Sequence, residues 1–280
     1  MSYLQSFVFG LVQGLTEFIP VSSTAHLRIV PALLGWDDPG AAYTAVIQLG
    51  TLSAALIYFA GDIRDLTVAA LRSLVSAEAR AAPAARMAWA IAAGNVPIVV
   101  LGLAFRHFIE TQARSLVLIA VMLIAVALLL AVAERLARQT LTTAGLGFWR
   151  AQVVGVSQAL ALIPGASRSG STILGGLAVG LTRADATRFS FLLGLPAIFG
   201  AGVFQLAALA QQARAGEGLL RAPDGWMVLG IGMAVAGVSG YWSIGFLLRY
   251  LSRHSTLVFT VYRLIAGAAI LGLVGAGLVR

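Results

Sequence analysis

Q-G-L-T-E-F-I-P-V-S-S-T-A-H, residues 13–26, decides how this chain is read. It sits in an apolar neighbourhood, yet it carries a carboxylate (Glu17), three hydroxyls (Ser22, Ser23, Thr24) and an imidazole (His26). Of the eleven acidic residues in the protein, Glu17 alone lies inside a long apolar run. Polar groups at membrane depth are costly without partners, so the cluster marks a functional site whose partners lie elsewhere in the chain. That the depth is membrane depth follows from composition. The 280 residues are 59% hydrophobic and only 11% charged, against about 25% charge in a soluble domain. The chain therefore reads as an integral membrane protein. It has no cysteine, which excludes disulfide and thiolate chemistry. The N-terminus M-S-Y-L-Q lacks the basic region of a cleavable signal. The net charge of +8 comes entirely from arginine. In a membrane protein such an excess orients loops, and no nucleic-acid partner is expected.

Residues 4–34 hold no uninterrupted span, because Gln13, Glu17, Pro20 and His26 break the run. Six better spans follow, at about 41–60, 87–105, 115–133, 189–210, 226–248 and 257–279. A second interrupted region, 151–181, is broken by I-P-G-A-S-R-S-G-S-T at 163–172. Eleven arginines fall in segments 61–86, 134–150, 182–188 and 249–256, against six in the alternate loops (Arg28, Arg106, Arg114, Arg214, Arg221, Arg280). The richer side is expected to be cytoplasmic. Each interrupted region then begins and ends on one side, and the two enter from opposite faces as re-entrant hairpins. The expected fold is all-α: one polytopic membrane domain over 1–280, with six transmembrane helices and two re-entrant helical hairpins. It is arranged as an inverted-topology repeat, about 1–133 and 151–280. Weak internal likeness supports the repeat. Gln13 precedes Pro20 by seven residues and Gln158 precedes Pro164 by six, and Ser23 and Ser167 each follow that proline by three.

The second break, Pro164–Thr172, reads as a phosphate cradle. Its glycines admit close backbone approach, and a helix starting after it aims free N–H groups at an anion. Arg168 offers a planar fork of donors, while Ser167, Ser169, Ser171 and Thr172 add hydroxyls. The Walker pattern and its lysine are absent. The first break supplies reactive groups. Glu17 suits a divalent cation or general-base work, and Gln13, four residues earlier, shares its helical face. Ser22 and Ser23 are candidate nucleophiles, with His26 three residues after Ser23 to handle a proton. A buried Glu17–Arg168 ion pair with no catalytic role is the bland alternative. Gln48, Thr51, Asn95 and the pair Tyr262–Arg263 are further polar residues that could face the site. Snorkelling toward the surface accounts equally well for Arg263.

The two breaks, with V-I-Q-L-G (46–50), F-S-F-L-L-G-L-P (189–196) and Y-R (262–263), resemble the bacterial undecaprenyl-pyrophosphate phosphatase family of the bacitracin-resistance type over nearly the whole chain. Gln13 matches a variant that the family's first motif permits, and Ala25 stands where the family usually has glycine. The resemblance implies hydrolysis of undecaprenyl pyrophosphate, a polyprenyl lipid, to its monophosphate, which recycles the carrier lipid of cell-wall synthesis. It implies Glu17, Ser23, His26 and Arg168 as the catalytic group, and Ser167 and Thr172 as phosphate contacts. With the residue reading, Ser22, Arg168 and Ser169 join the phosphate contacts. Glu17 with Gln13 would hold Mg2+ or Ca2+. The expected location is the bacterial cytoplasmic (inner) membrane, within the lipid bilayer, with the site opening toward the periplasm. A homodimer is one assembly consistent with the chain. The competing class is a lipid or anion transporter using the same midplane anion site.

Overall fold

Long apolar runs dictate helices here, because a buried backbone in lipid must satisfy every N–H and C=O internally. The computed structural model describes residues 1–279, without the side chains at 110 and 112. Arg280, counted above among the arginines of the poorer side, lies outside the described residues. Fourteen α-helices succeed one another among the described residues: α1 Tyr3–Glu17, α2 Ser23–Leu34, α3 Gly40–Tyr58, α4 Ala60–Val75, α5 Ala77–Arg80, α6 Pro83–Gly94, α7 Val96–Ala104, α8 Arg106–Glu110, α9 Leu116–Leu136, α10 Phe148–Gln158, α11 Arg168–Ala178, α12 Arg183–Arg214, α13 Gly225–Leu251 and α14 Leu257–Gly275. An isolated bridge, Leu141 to Leu181, is the only β-type pairing among them.

Six stretches are long and apolar enough to cross a membrane: Gly40–Tyr58, Pro83–Ala104, Leu116–Leu136, Arg183–Arg214, Gly225–Leu251 and Leu257–Gly275. They coincide with the six spans expected from hydropathy. The second is bent at Asn95, where α6 meets α7 just before Pro97. Neither interrupted region joins the six. In each, a helix stops, the chain turns, and a second helix starts: α1 then α2, and α10, a 3-10 turn at Ala159–Leu162, then α11.

The two ends of the bundle are held by different ion pairs. At one end Arg114 grips Asp38 with Nη2 at 2.6 Å, and Arg28 approaches the same carboxylate. At the other, Arg183 pairs with Glu134, Thr256 Oγ1 donates to Glu134 at 2.8 Å, and Arg188 pairs with Asp62. The four arginine-rich segments thus share one end of the molecule, as the charge count requires. Helix α4, hidden in the sequence as a polar loop, lies at that end, with Leu71, Leu74 and Val75 exposed beside Arg72.

The largest apolar cluster sits behind the first break. Phe18 packs edge-on against Phe191 (5.1 Å between centroids), which in turn meets Phe59. This aromatic wall ties α1, α12 and the end of α3 together and fixes the height of Glu17, the residue next to Phe18.

Candidate active site

The two breaks have the same backbone design. Ser22 caps α2 at φ 74°, and Ser167 caps α11 at φ 70°. Positive φ is uncommon outside glycine, and it persists only where the surroundings over-determine it. Each serine Oγ accepts an N–H three residues on, from Ala25 at 3.4 Å and Gly170 at 3.1 Å. Nine residues before each serine stands a fully buried glutamine, Gln13 or Gln158, whose Oε1 has no partner. By cap conformation Ser22 matches Ser167, whereas counting from the prolines pairs Ser23 with Ser167.

The breaks meet around Glu17, which is 5% exposed. Its Oε2 accepts from Ser23 Oγ at 2.7 Å and from Gln13 Nε2 at 2.7 Å. Its Oε1 accepts from Arg168 Nη2 at 3.1 Å. Arg168 keeps two buried donors, Nε and Nη1, without a protein partner. A buried donor left unmade costs about 1–3 kcal/mol, so these two N–H groups are an unmet demand at the centre of the site. Gly194 makes the space for this side chain: a Cβ there would fall 1.5 Å from Arg168 Nη1.

Glu17, Ser22, Ser23, Ser167 and Arg168 line one cavity of about 120 Å³, with Thr24 and Gln48 at its edge. It continues into a larger apolar cavity of about 430 Å³ walled by Ile98, Val99, Leu103, Leu162 and Phe204. Thr24, Gln48, Ile98, Ala161, Ala197 and Ala201 line both. The compartment as a whole is a polar head end with an apolar continuation.

The other expected site residues fall differently. The His26 imidazole does not approach the Ser23 hydroxyl: Nδ1 donates to Ser22 O at 2.8 Å, and Nε2 meets the Tyr262 hydroxyl. The ring stacks against the Tyr262 ring. Burial pushes the His26 pKa below its ordinary value; the residue lies in α2, outside the six spans. Ser169 and Thr172 are fully buried and do not line the cavity. Ser169 Oγ donates to Ile19 O at 3.2 Å across the breaks, while Thr172 Oγ1 donates to Arg168 O at 2.7 Å. Thr51 Oγ1 bonds within α3, and Asn95 joins Gln158 to Leu193 O at the α6–α7 bend.

Arg263 does not snorkel. It is fully buried and donates to Pro20 O, Gly165 O and Ala166 O, which belong to both breaks, and to Met122 O and Leu123 O of α9. Its position several residues into an apolar run, and its place in the Y-R pair, were the sequence signals for it.

A divalent cation fits these donors only in part without substrate. No cluster of three or more acidic, His or Cys side chains exists among the described residues. Glu17 and Gln13, whose Nε2 donates to the Glu17 carboxylate and whose Oε1 has no protein partner, carry the hard oxygen donors at this point. That set suits Mg2+ or Ca2+, which is often held by one or two carboxylates plus substrate phosphate oxygens.

Six membrane-length helices around a buried Glu–Arg–Ser centre with an apolar annex define a polytopic membrane protein built to act on an amphiphile with an anionic head. The chain belongs to the family described as bacitracin resistance protein BacA, whose model matches residues 6–269. It is similar to proteins named undecaprenyl-diphosphatase. Chloroherpeton thalassium has one that is 49% identical over 99% of this chain and 98% of its own. Those of Prosthecochloris aestuarii (46% identical, all of both chains) and Chlorobaculum tepidum (46%, 99% of each) are further examples.

Proposed function

We propose that this chain is an undecaprenyl-diphosphatase, hydrolysing undecaprenyl pyrophosphate to the monophosphate and inorganic phosphate. The observation that carries this reading is the Ser23–Glu17–Arg168 chain of hydrogen bonds at the polar end of a compartment whose other end is apolar. The prenyl stem lies in the apolar cavity and the pyrophosphate in the polar one. The unmade N–H groups of Arg168 bind the terminal phosphate, helped by the first amides of α11. They stabilise the charge that shifts onto its oxygens in the transition state. Ser23 Oγ attacks the terminal phosphorus and its proton passes to Glu17 Oε2. The bond from that phosphorus to the bridging oxygen breaks, and the lipid monophosphate leaves with the electron pair. Water then hydrolyses the phosphoserine, giving inorganic phosphate and restoring the hydroxyl. Glu17 and Gln13 would hold a divalent cation, which when bound supplies further positive charge to the pyrophosphate oxygens.

Two coarser readings accompany it. The shared cap conformation and matched glutamines favour re-entrant hairpins in an inverted repeat. The arginine-rich end faces the cytoplasm of a bacterial inner membrane, so the site opens to the outer side.

The test is phosphate release by pure protein in detergent, where no transport across a membrane can occur. Release, with phosphate trapped on Ser23 after rapid acid quench, is the expected result. No release with any divalent cation overturns the reading in favour of a carrier, and release by Ser23→Ala at the normal rate replaces the serine with an activated water.

A further inference from the structure

We propose that Arg263 is the positioning residue of this site: it fixes the spacing of the two breaks and turns the anion-binding amides of the second one toward the cavity. The inference rests on the phosphatase reading and deepens it. A guanidinium fully enclosed at membrane depth is expensive, and such a charge is ordinarily paired with a carboxylate. Arg263 has no carboxylate partner among the described residues. Carbonyl oxygens take its place: Pro20 O at 3.1 Å from Nη1, and Gly165 O and Ala166 O each at 3.0 Å from Nη2. Leu123 O, at 3.2 Å from Nε, anchors the same group on α9. The cost is therefore incurred at one particular place, the junction of three backbone segments.

The geometry of a trans peptide gives these bonds a functional direction. C=O and N–H point opposite ways across the peptide plane. With Ala166 O drawn to Arg263, the Ser167 N–H points away from the fork, and Ser167 is itself a residue of the cavity wall. No protein acceptor takes that N–H among the described residues. Gly165 is clamped from behind as well: it sits at φ 95°, and a Cβ there would lie 2.3 Å from Ile119 O. The loop before Arg168 is thus wedged between α9 and the Arg263 fork. Ser22 lies two residues past Pro20, so one planar group sets both positive-φ serines in register. A lysine cannot do the same, because its donors radiate from a single nitrogen instead of a fork.

The experiment measures inorganic phosphate binding by calorimetry, with turnover and melting temperature alongside, on the wild type, Arg263→Lys and Gly170→Ala. A Cβ at Gly170 would stand 2.9 Å from Arg263 Nη1, so this second variant displaces the fork without removing it. Both variants are expected to bind phosphate about tenfold or more weakly, measured well below their melting transitions. Turnover of Arg263→Lys is expected to fall roughly 10²-fold, the scale of an ångström misplacement. A purely structural role moves the melting temperature and leaves the phosphate Kd alone. Wild-type phosphate affinity in Arg263→Lys overturns the proposal. If that variant does not fold, wild-type affinity in Gly170→Ala overturns it instead. A wild type that binds no phosphate overturns it too. A wild type that binds phosphate but releases none sinks the phosphatase reading, while the affinity comparison still judges Arg263.

Discussion

Ser23 Oγ lies 2.7 Å from Glu17 Oε2, so the hydroxyl that is to attack phosphorus already hands its hydrogen to a carboxylate. Under the proposed mechanism Glu17, rather than His26 three residues after Ser23, takes that proton. Glu17→Gln keeps the shape and removes the basicity, and its kcat is expected to fall about 10²–10⁴-fold. Ser23→Ala is expected to fall equally. The double variant should be no worse than either single one, because the two groups act as a unit. Steady-state kinetics on the three proteins, with additive losses as the contrary outcome, decide the point.

His26 predicts a pH effect on stability instead. Its imidazole has a lowered pKa because it is buried, so the unfolded chain binds a proton that the folded one resists. The penalty vanishes above the ordinary value of about 6.5 and grows as pH falls below it. Melting temperature in detergent should therefore drop as pH is lowered through that range. His26→Gln should flatten the slope while lowering turnover far less than Glu17→Gln. A slope unchanged in the variant would refute this account.

Gly194→Ala tests the room left for Arg168. Helix propensity alone favours alanine by about 1 kcal/mol. The added Cβ, however, would lie 1.5 Å from Arg168 Nη1, and the guanidinium has to move. A loss of about 10²-fold in kcat/KM is expected, with an unchanged or higher melting temperature. Normal kinetics would mean that the guanidinium position is not critical.

The hydroxyls of the second break divide by what they touch. Ser169→Ala and Thr172→Val remove bonds to backbone, and with them the side-chain bonds to Ser167 Oγ and Ser190 Oγ, and should destabilise by about 1 kcal/mol or more each, with phosphate affinity less affected than stability. Ser167→Ala loses a cap and a cavity wall together, and it should weaken phosphate binding as well as stability. Calorimetric Kd values beside melting curves separate the two kinds.

Chelation is expected to stop turnover, and Mg2+ or Ca2+ to restore it. Gln13→Leu should raise the cation concentration needed for half-maximal rate, because it removes the Oε1 that has no protein partner, and Gln13→Glu should lower it, because it replaces Nε2, the donor to Glu17 Oε2, with a second carboxylate oxygen. Identical cation curves for all three proteins would remove Gln13 from the cation site.

The six spans and both breaks were legible because hydropathy and its interruptions report burial directly. The Glu17–Arg168 meeting was legible too, since two isolated charges at one depth need each other. Directions of side chains were not. Spacing placed His26 beside Ser23, but the ring is held by Ser22 O and the Tyr262 hydroxyl instead, and spacing carries no side-chain direction. Hydroxyl-rich sequence cannot say which hydroxyls face the cavity and which bond the backbone, so Ser169 and Thr172 looked like Ser167. Depth alone could not separate a snorkelling Arg263 from an enclosed one. Helix α4 was invisible because its apolar positions are spread among charges.

The apolar cavity of about 430 Å³ behind Thr24 and Gln48 bears on how this protein can be handled. Any extracting amphiphile has an alkyl chain of the right kind for that space, and each buried methylene contributes about 0.8 kcal/mol. A detergent whose head carries a phosphate would occupy both ends of the compartment at once. Such a detergent is expected to compete with the substrate, so an apparent KM measured in its micelles would report the detergent's chain and head as well as the substrate's.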